Sequence, residues 1–65
     1  MAKRELSNSD EVYFEFVAIG HSVKVTAIHA ASGVEVSVVG PASAARSDLE
    51  RLAIQKLAVR LKNDA

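Results

Sequence analysis

The sequence predicts an α+β domain: a three-stranded antiparallel β-meander followed by one C-terminal α-helix packed on one sheet face, in the order β-β-β-α. Three observations carry this. Apolar and polar residues alternate with a period of two in three segments between Glu11 and Val39. Glycine-bearing turn sequences separate those segments. After Pro41 the apolar period changes to about 3.6 residues, the helical repeat.

Residues 1–10, MAKRELSNSD, hold one large apolar side chain besides Met1 and run through Ser7-Asn8-Ser9-Asp10, a stretch that favours turns and solvation. They read as a flexible N-terminal tail, leaving residues 11–65 as the single domain. Strand one is Glu11 to Ile19, EVYFEFVAI, in which Val12, Phe14, Phe16 and Ala18 share one face. Gly20-His21 then forms a two-residue type II′ turn, because glycine supplies the positive φ that its first central position needs. Strand two starts at Ser22. This turn places Ile19 opposite Ser22 and pairs Ala18 with Val23, Phe16 with Val25, Phe14 with Ala27 and Val12 with His29. All of these pairs fall on one face, and a one-residue slip would break that match.

Ala30-Ala31-Ser32-Gly33 ends strand two, and strand three is Val34 to Val39, stopped by Gly40-Pro41. A two-residue Ser32-Gly33 loop would set Val36 opposite His29 and Val38 opposite Ala27; a four-residue loop keeps the same parity. The helix runs to about Lys62. Its start lies at Ser43 or Ser47, and Ser47 is favoured because Ser47-Asp48-Leu49-Glu50 has the spacing of a capping box.

Sixty-five residues with 49% hydrophobic content leave room for one domain only. A chain this short buries only about 60% of its unfolded surface, and a lone core of this size rarely yields more than about 3–5 kcal/mol. With no cysteine, disulfides and thiolate metal sites are excluded, and His21 and His29 are too few to fill a metal site, so no metal and no cofactor are expected. Self-association is the remaining source of stability. The longest apolar run, Phe16 to Ile19, is far short of a membrane span and no signal segment is evident, which sets a cytoplasmic protein as the expectation. Eight basic residues balance eight acidic ones, without the strong positive field of a typical nucleic-acid module.

The faces locate the surplus apolar surface. Val12, Phe14, Phe16, Ala18, Val23, Val25, Ala27, Val34, Val36 and Val38 form the face that the helix must cover, with His29 as the one polar member. The opposite face mixes Tyr13, Glu15, Lys24, Thr26, Glu35 and Ser37 with Val17, Ile19, Ile28 and Val39. At about 100° per residue, Ala53, Leu57, Leu61, Ile54 and Ala58 form one helical stripe, while Leu49, Leu52 and Val59 form a second. Val17, Ile19, Ile28, Val39, Leu49, Leu52 and Val59 are therefore the candidate interface of a homodimer, formed through strand edge, sheet face or helix. The alternative is a monomer in which the stems of Lys56 and Arg60 lie over Leu52 and Val59.

No catalytic constellation is legible. His21 is a turn residue, and His29 at the rim of the apolar face reads as a satisfied, semi-buried histidine rather than a titrating group. Glu15 and Glu35 with Lys24 read as solubilising cross-strand charges, since no nucleophile, phosphate loop or lid accompanies them. Enzymatic activity is not expected. The rival is nucleic-acid binding. Residues 11–40 hold Glu11, Glu15 and Glu35 against Lys24, whereas residues 41–65 hold five basic against three acidic groups. Arg46, Arg51 and Lys62 on the helix, with Tyr13 for base stacking, are the candidate contacts. The C-terminal part is loosely similar to the end of double-stranded-RNA-binding domains, but Ser43 to Asp48 offers one Arg and one Asp where that fold carries a lysine cluster.

The strings VYFEFVAIG (Val12–Gly20), SVKVTAI (Ser22–Ile28), GVEVSVVGP (Gly33–Pro41) and DLERLAIQKL (Asp48–Leu57) together resemble a family of short bacterial proteins of unknown function. The resemblance spans about residues 11–62. It implies an intracellular bacterial source, with no assigned activity, catalytic residue or ligand, and it carries over no site residues; the surplus apolar surface and the missing catalytic apparatus are what point to a small homo-oligomeric interaction or accessory protein.

Overall fold

The computed structural model describes residues 2–5 and 11–64. Four strands and one helix follow in chain order: β1 (Ala2–Glu5), β2 (Glu11–Ile19), β3 (Ser22–His29), β4 (Glu35–Pro41) and α1 (Arg46–Asp64). The sheet is an open antiparallel meander in the order β1-β2-β3-β4, and α1 packs against β3 and β4. The expected meander and helix are present, with one strand more at the N-terminal side. The tail expected over residues 1–10 does not extend to Ala2–Glu5, which pair with β2 from Ala2 opposite Phe14 to Glu5 opposite Glu11. An edge at the start of β2 would leave backbone groups unpaired, and even a polar tetrapeptide can satisfy them with its main chain. The remainder of that tail, Met1 and residues 6–10, lies outside the described residues.

β2 and β3 pair in the register that the Gly20-His21 turn dictates, from Ile19 opposite Ser22 through Phe16 opposite Val25 to Val12 opposite His29. Gly20 has φ +57° while His21 keeps a negative φ, which fits a type II′ turn and rules out type I′. The second connection is the four-residue version. The His29 amide donates to the Val34 carbonyl at 2.9 Å and the Gly33 amide to the His29 carbonyl at 2.8 Å. Val36 therefore lies opposite Ala27 and Val38 opposite Val25. Compared with a two-residue loop the pairing moves by two positions, so every side chain keeps its face.

Strand three was expected to stop before Gly40-Pro41, yet β4 continues through both, with Gly40 opposite Val23 and Pro41 opposite Ser22. β4 is an edge strand, and at alternate positions its backbone groups point away from β3. Pro41 occupies such a position, so its missing donor costs the ladder nothing. The Ala42 amide then donates to the His21 carbonyl at 2.8 Å, one step past the end of the strand.

The helix begins at Arg46, one residue before the favoured start, and ends at Asp64 rather than Lys62. The Ala45 carbonyl accepts the amides of Asp48 and Leu49, so Ser47 lies within the first turn instead of capping it. Val12, Phe14, Val25, Ala27 and Val36 from the sheet and Leu49, Ala53 and Leu57 from the helix form the buried core. Small residues set the approach of the two layers. A Cβ built on Gly40 would lie 2.5 Å from Leu49 Cδ2, so glycine at this place lets Leu49 close on β4.

Candidate interaction surface

The sheet face away from α1 is built by the residues that alternate with the core. Adjacent strands place them in rows: Tyr13, Ile28 and Glu35; Glu15, Thr26 and Ser37; Val17, Lys24 and Val39. Thr26 Oγ1 and Ser37 Oγ share a hydrogen bond at 2.9 Å, and Thr26 is buried in the middle of this face. Toward the Gly20 end the surface turns apolar and open, with Val17 at 41%, Ile19 at 54% and Val39 at 65% exposure. Ile28, expected with them, is half-buried at the opposite end.

On the helix, Leu49 corrects the expected second stripe. It is buried because it faces Gly40, and it belongs to the core with Ala53 and Leu57. Leu52 and Val59 remain open, at 51% and 59% exposure. The polar ends of Lys56 and Arg60, whose stems the monomer alternative laid over this pair, bond elsewhere. Lys56 Nζ donates to the Ser37 carbonyl at 2.6 Å, reaching over the edge of β4. Arg60 Nε donates to Asp64 at 3.0 Å. Since Lys56 lies on the β4 side of the helix and Leu52 and Val59 are its neighbours at i−4 and i+3, both apolar side chains flank the β4 edge.

The residues considered for chemistry are dispersed. His21 is exposed in the first turn. His29 is buried and its Nδ1 shares a 2.6 Å hydrogen bond with Ser32 Oγ, which also accepts the Val34 amide at 3.2 Å. These bonds fasten the β3–β4 loop to the end of the core. Glu15, Lys24 and Glu35 lie exposed on the outer face rather than in a cleft. Among the described residues there is no pocket and no group of three side chains able to share a metal ion. No helix among them is long and apolar enough to cross a membrane.

The candidate nucleic-acid contacts do not converge. The Arg46 guanidinium lies over the Phe16 ring, 4.7 Å from its centroid, on the sheet side of the helix, where it covers an end of the core. Arg51 pairs with Asp48 at 2.6 Å on the solvent side, shared with Lys62. Tyr13 is half-buried and donates its hydroxyl to Glu11 Oε2 at 3.1 Å. Sequence reasoning missed the two contacts that define the surface, Lys56 on Ser37 and Arg46 on Phe16. Both depend on where α1 settles across the sheet, and no local pattern encodes that.

These features define a class: a two-layer α+β domain, one antiparallel meander under one helix, whose polar side chains serve the fold or lie on open surface. The chain belongs to the family described as Domain of unknown function (DUF6898), whose model matches residues 9–64. No curated protein and no solved structure is significantly similar to it.

Proposed function

We propose that this chain is a non-catalytic, homodimer-forming interaction module. The observation that carries the reading is the open pair Leu52 and Val59 beside β4, left uncovered because Lys56 and Arg60 turn to other partners. These two aliphatic side chains are about half exposed, and covering the rest is worth roughly 1 kcal/mol for each. A chain of 65 residues has little stability to spare. A second copy is the covering surface available to every molecule of the same protein, and twofold pairing is its commonest closed form. The dispersal of Glu15, Glu35, His21 and His29 supports a binding role over a catalytic one.

Light scattering across a concentration series is the test. A mass rising from one chain to two by the high micromolar range is expected. A strict monomer over that range overturns the reading.

A further inference from the structure

We propose that the partner is a second copy seated along the free edge of β4, so that two four-stranded sheets join into one, and that Lys56 is the gate to this edge. The inference rests on the dimer reading above and goes further by fixing its surface and register.

The first argument is the hydrogen-bonding parity of β4. The His29 amide donates to the Val34 carbonyl and the Ala42 amide to the His21 carbonyl, so along the ladder between them Val36, Val38 and Gly40 direct their backbone groups to β3. Glu35, Ser37 and Val39 direct theirs outward, and the Lys56 ammonium on the Ser37 carbonyl marks that direction. An antiparallel pairing with its dyad at Ser37 puts Glu35 opposite the partner's Val39 and Ser37 opposite the partner's Ser37. Every outward amide and carbonyl of these three residues then finds a mate. Pro41, the one residue of β4 without a donor, falls beyond the paired stretch, opposite the partner's Gly33.

The second argument is that the same dyad satisfies the helical layer. α1 packs on β3 and β4, so pairing across the free edge of β4 sets the two helices side by side on one face of the joined sheet. Lys56 stands level with Ser37, and the midpoint of Leu52 and Val59 falls beside Lys56 in the sequence. The dyad therefore sets Leu52 against the partner's Val59.

Lys56 opposes the pairing in two ways. Its ammonium occupies the Ser37 carbonyl that the partner's amide needs, and the dyad brings two Lys56 side chains together. Charged side chains on edge strands commonly keep sheets from joining. Here the block is a single removable contact, so the strength of pairing is set by the charge of one side chain.

The chain has no cysteine, which makes single-cysteine variants clean reporters. In the full chain Ser37→Cys is expected to oxidise to a disulfide-linked dimer, because a hydrogen-bonded antiparallel pair holds its Cα atoms about 5.5 Å apart. Val17→Cys, on the outer face, is expected to form no disulfide-linked dimer under oxidation. Lys56→Met is expected to tighten the dimer about tenfold, the effect of removing a close like-charge pair. Added salt should strengthen the native dimer and leave Lys56→Met unchanged. As a readout without substitution, the Glu35, Ser37 and Val39 amides should gain exchange protection as concentration rises. A dimer that cross-links through Val17→Cys and leaves those amides unprotected overturns the edge assignment while the dimer reading survives. A dimer weakened by Lys56→Met overturns the gate, and a chain that never dimerises overturns both readings.

Discussion

The two faces of the sheet are made from the same strands and much the same residue types, yet their fates differ. On β2, Val12 and Phe14 are 0% and 1% exposed while Val17 and Ile19, a few residues on, are 41% and 54% exposed. On β4, Val36 is buried and Val39 is among the most open aliphatic residues of the chain. Apolar content alone therefore does not decide burial. A single helix supplies one covering surface; parity decides which residues can receive that cover, and Ala18, with the right parity at the Gly20 end, still lies exposed.

The strongest way to break this contrast is to empty the covered face. Phe14→Ala removes the largest fully buried side chain and should cost about 3–5 kcal/mol, read from the urea midpoint, enough to unfold much of the population at room temperature. Gly40→Ala tests the close approach of the layers. Its methyl meets Leu49, and the expected loss is about 1–3 kcal/mol by the same measurement. Gly20→Ala tests what holds the alternation in register. An L side chain at φ +57° should cost about 1–2 kcal/mol, with loss of the cross-strand nuclear Overhauser contacts between Ile19 and Ser22 if the turn gives way.

Smaller effects sharpen the contrast. Arg46→Ala should cost about 0.5–1 kcal/mol by uncovering the Phe16 ring, seen as a shifted aromatic resonance and a slightly earlier thermal transition. Val17→Thr, on the open face, should change stability by no more than about 0.5 kcal/mol. A loss several times larger would show that the outer face is covered.

Much of this architecture was legible in the residues because it is set locally. Gly20 with its two flanking strands fixes the β2–β3 register through turn geometry, and both the turn and the pairing are found as expected. The change of period after Pro41 marks the helix. What could not be read depends on tertiary placement. Leu49 joined Leu52 and Val59 on a helical projection, but the projection says nothing of Gly40, whose missing side chain admits Leu49 to the core. Ala2–Glu5 lacks strand-forming residues and pairs through its backbone, which composition does not report. Ser47 and Glu50 have the spacing of a capping box, and the chain starts its helix one residue sooner.

The meander has a consequence for how quickly this domain assembles. Each strand pairs with the strand next to it in sequence, and the two longest strands are joined by a two-residue turn. No long loop must close before a productive contact forms, so the entropic barrier is small for a protein with this much sheet. The β2–β3 hairpin is the natural nucleus, and α1 docks on a surface that exists only once β4 has added to it. Stopped-flow refolding should then show substitutions at Phe16 or Val25 slowing folding, and substitutions at Leu57 mainly hastening unfolding.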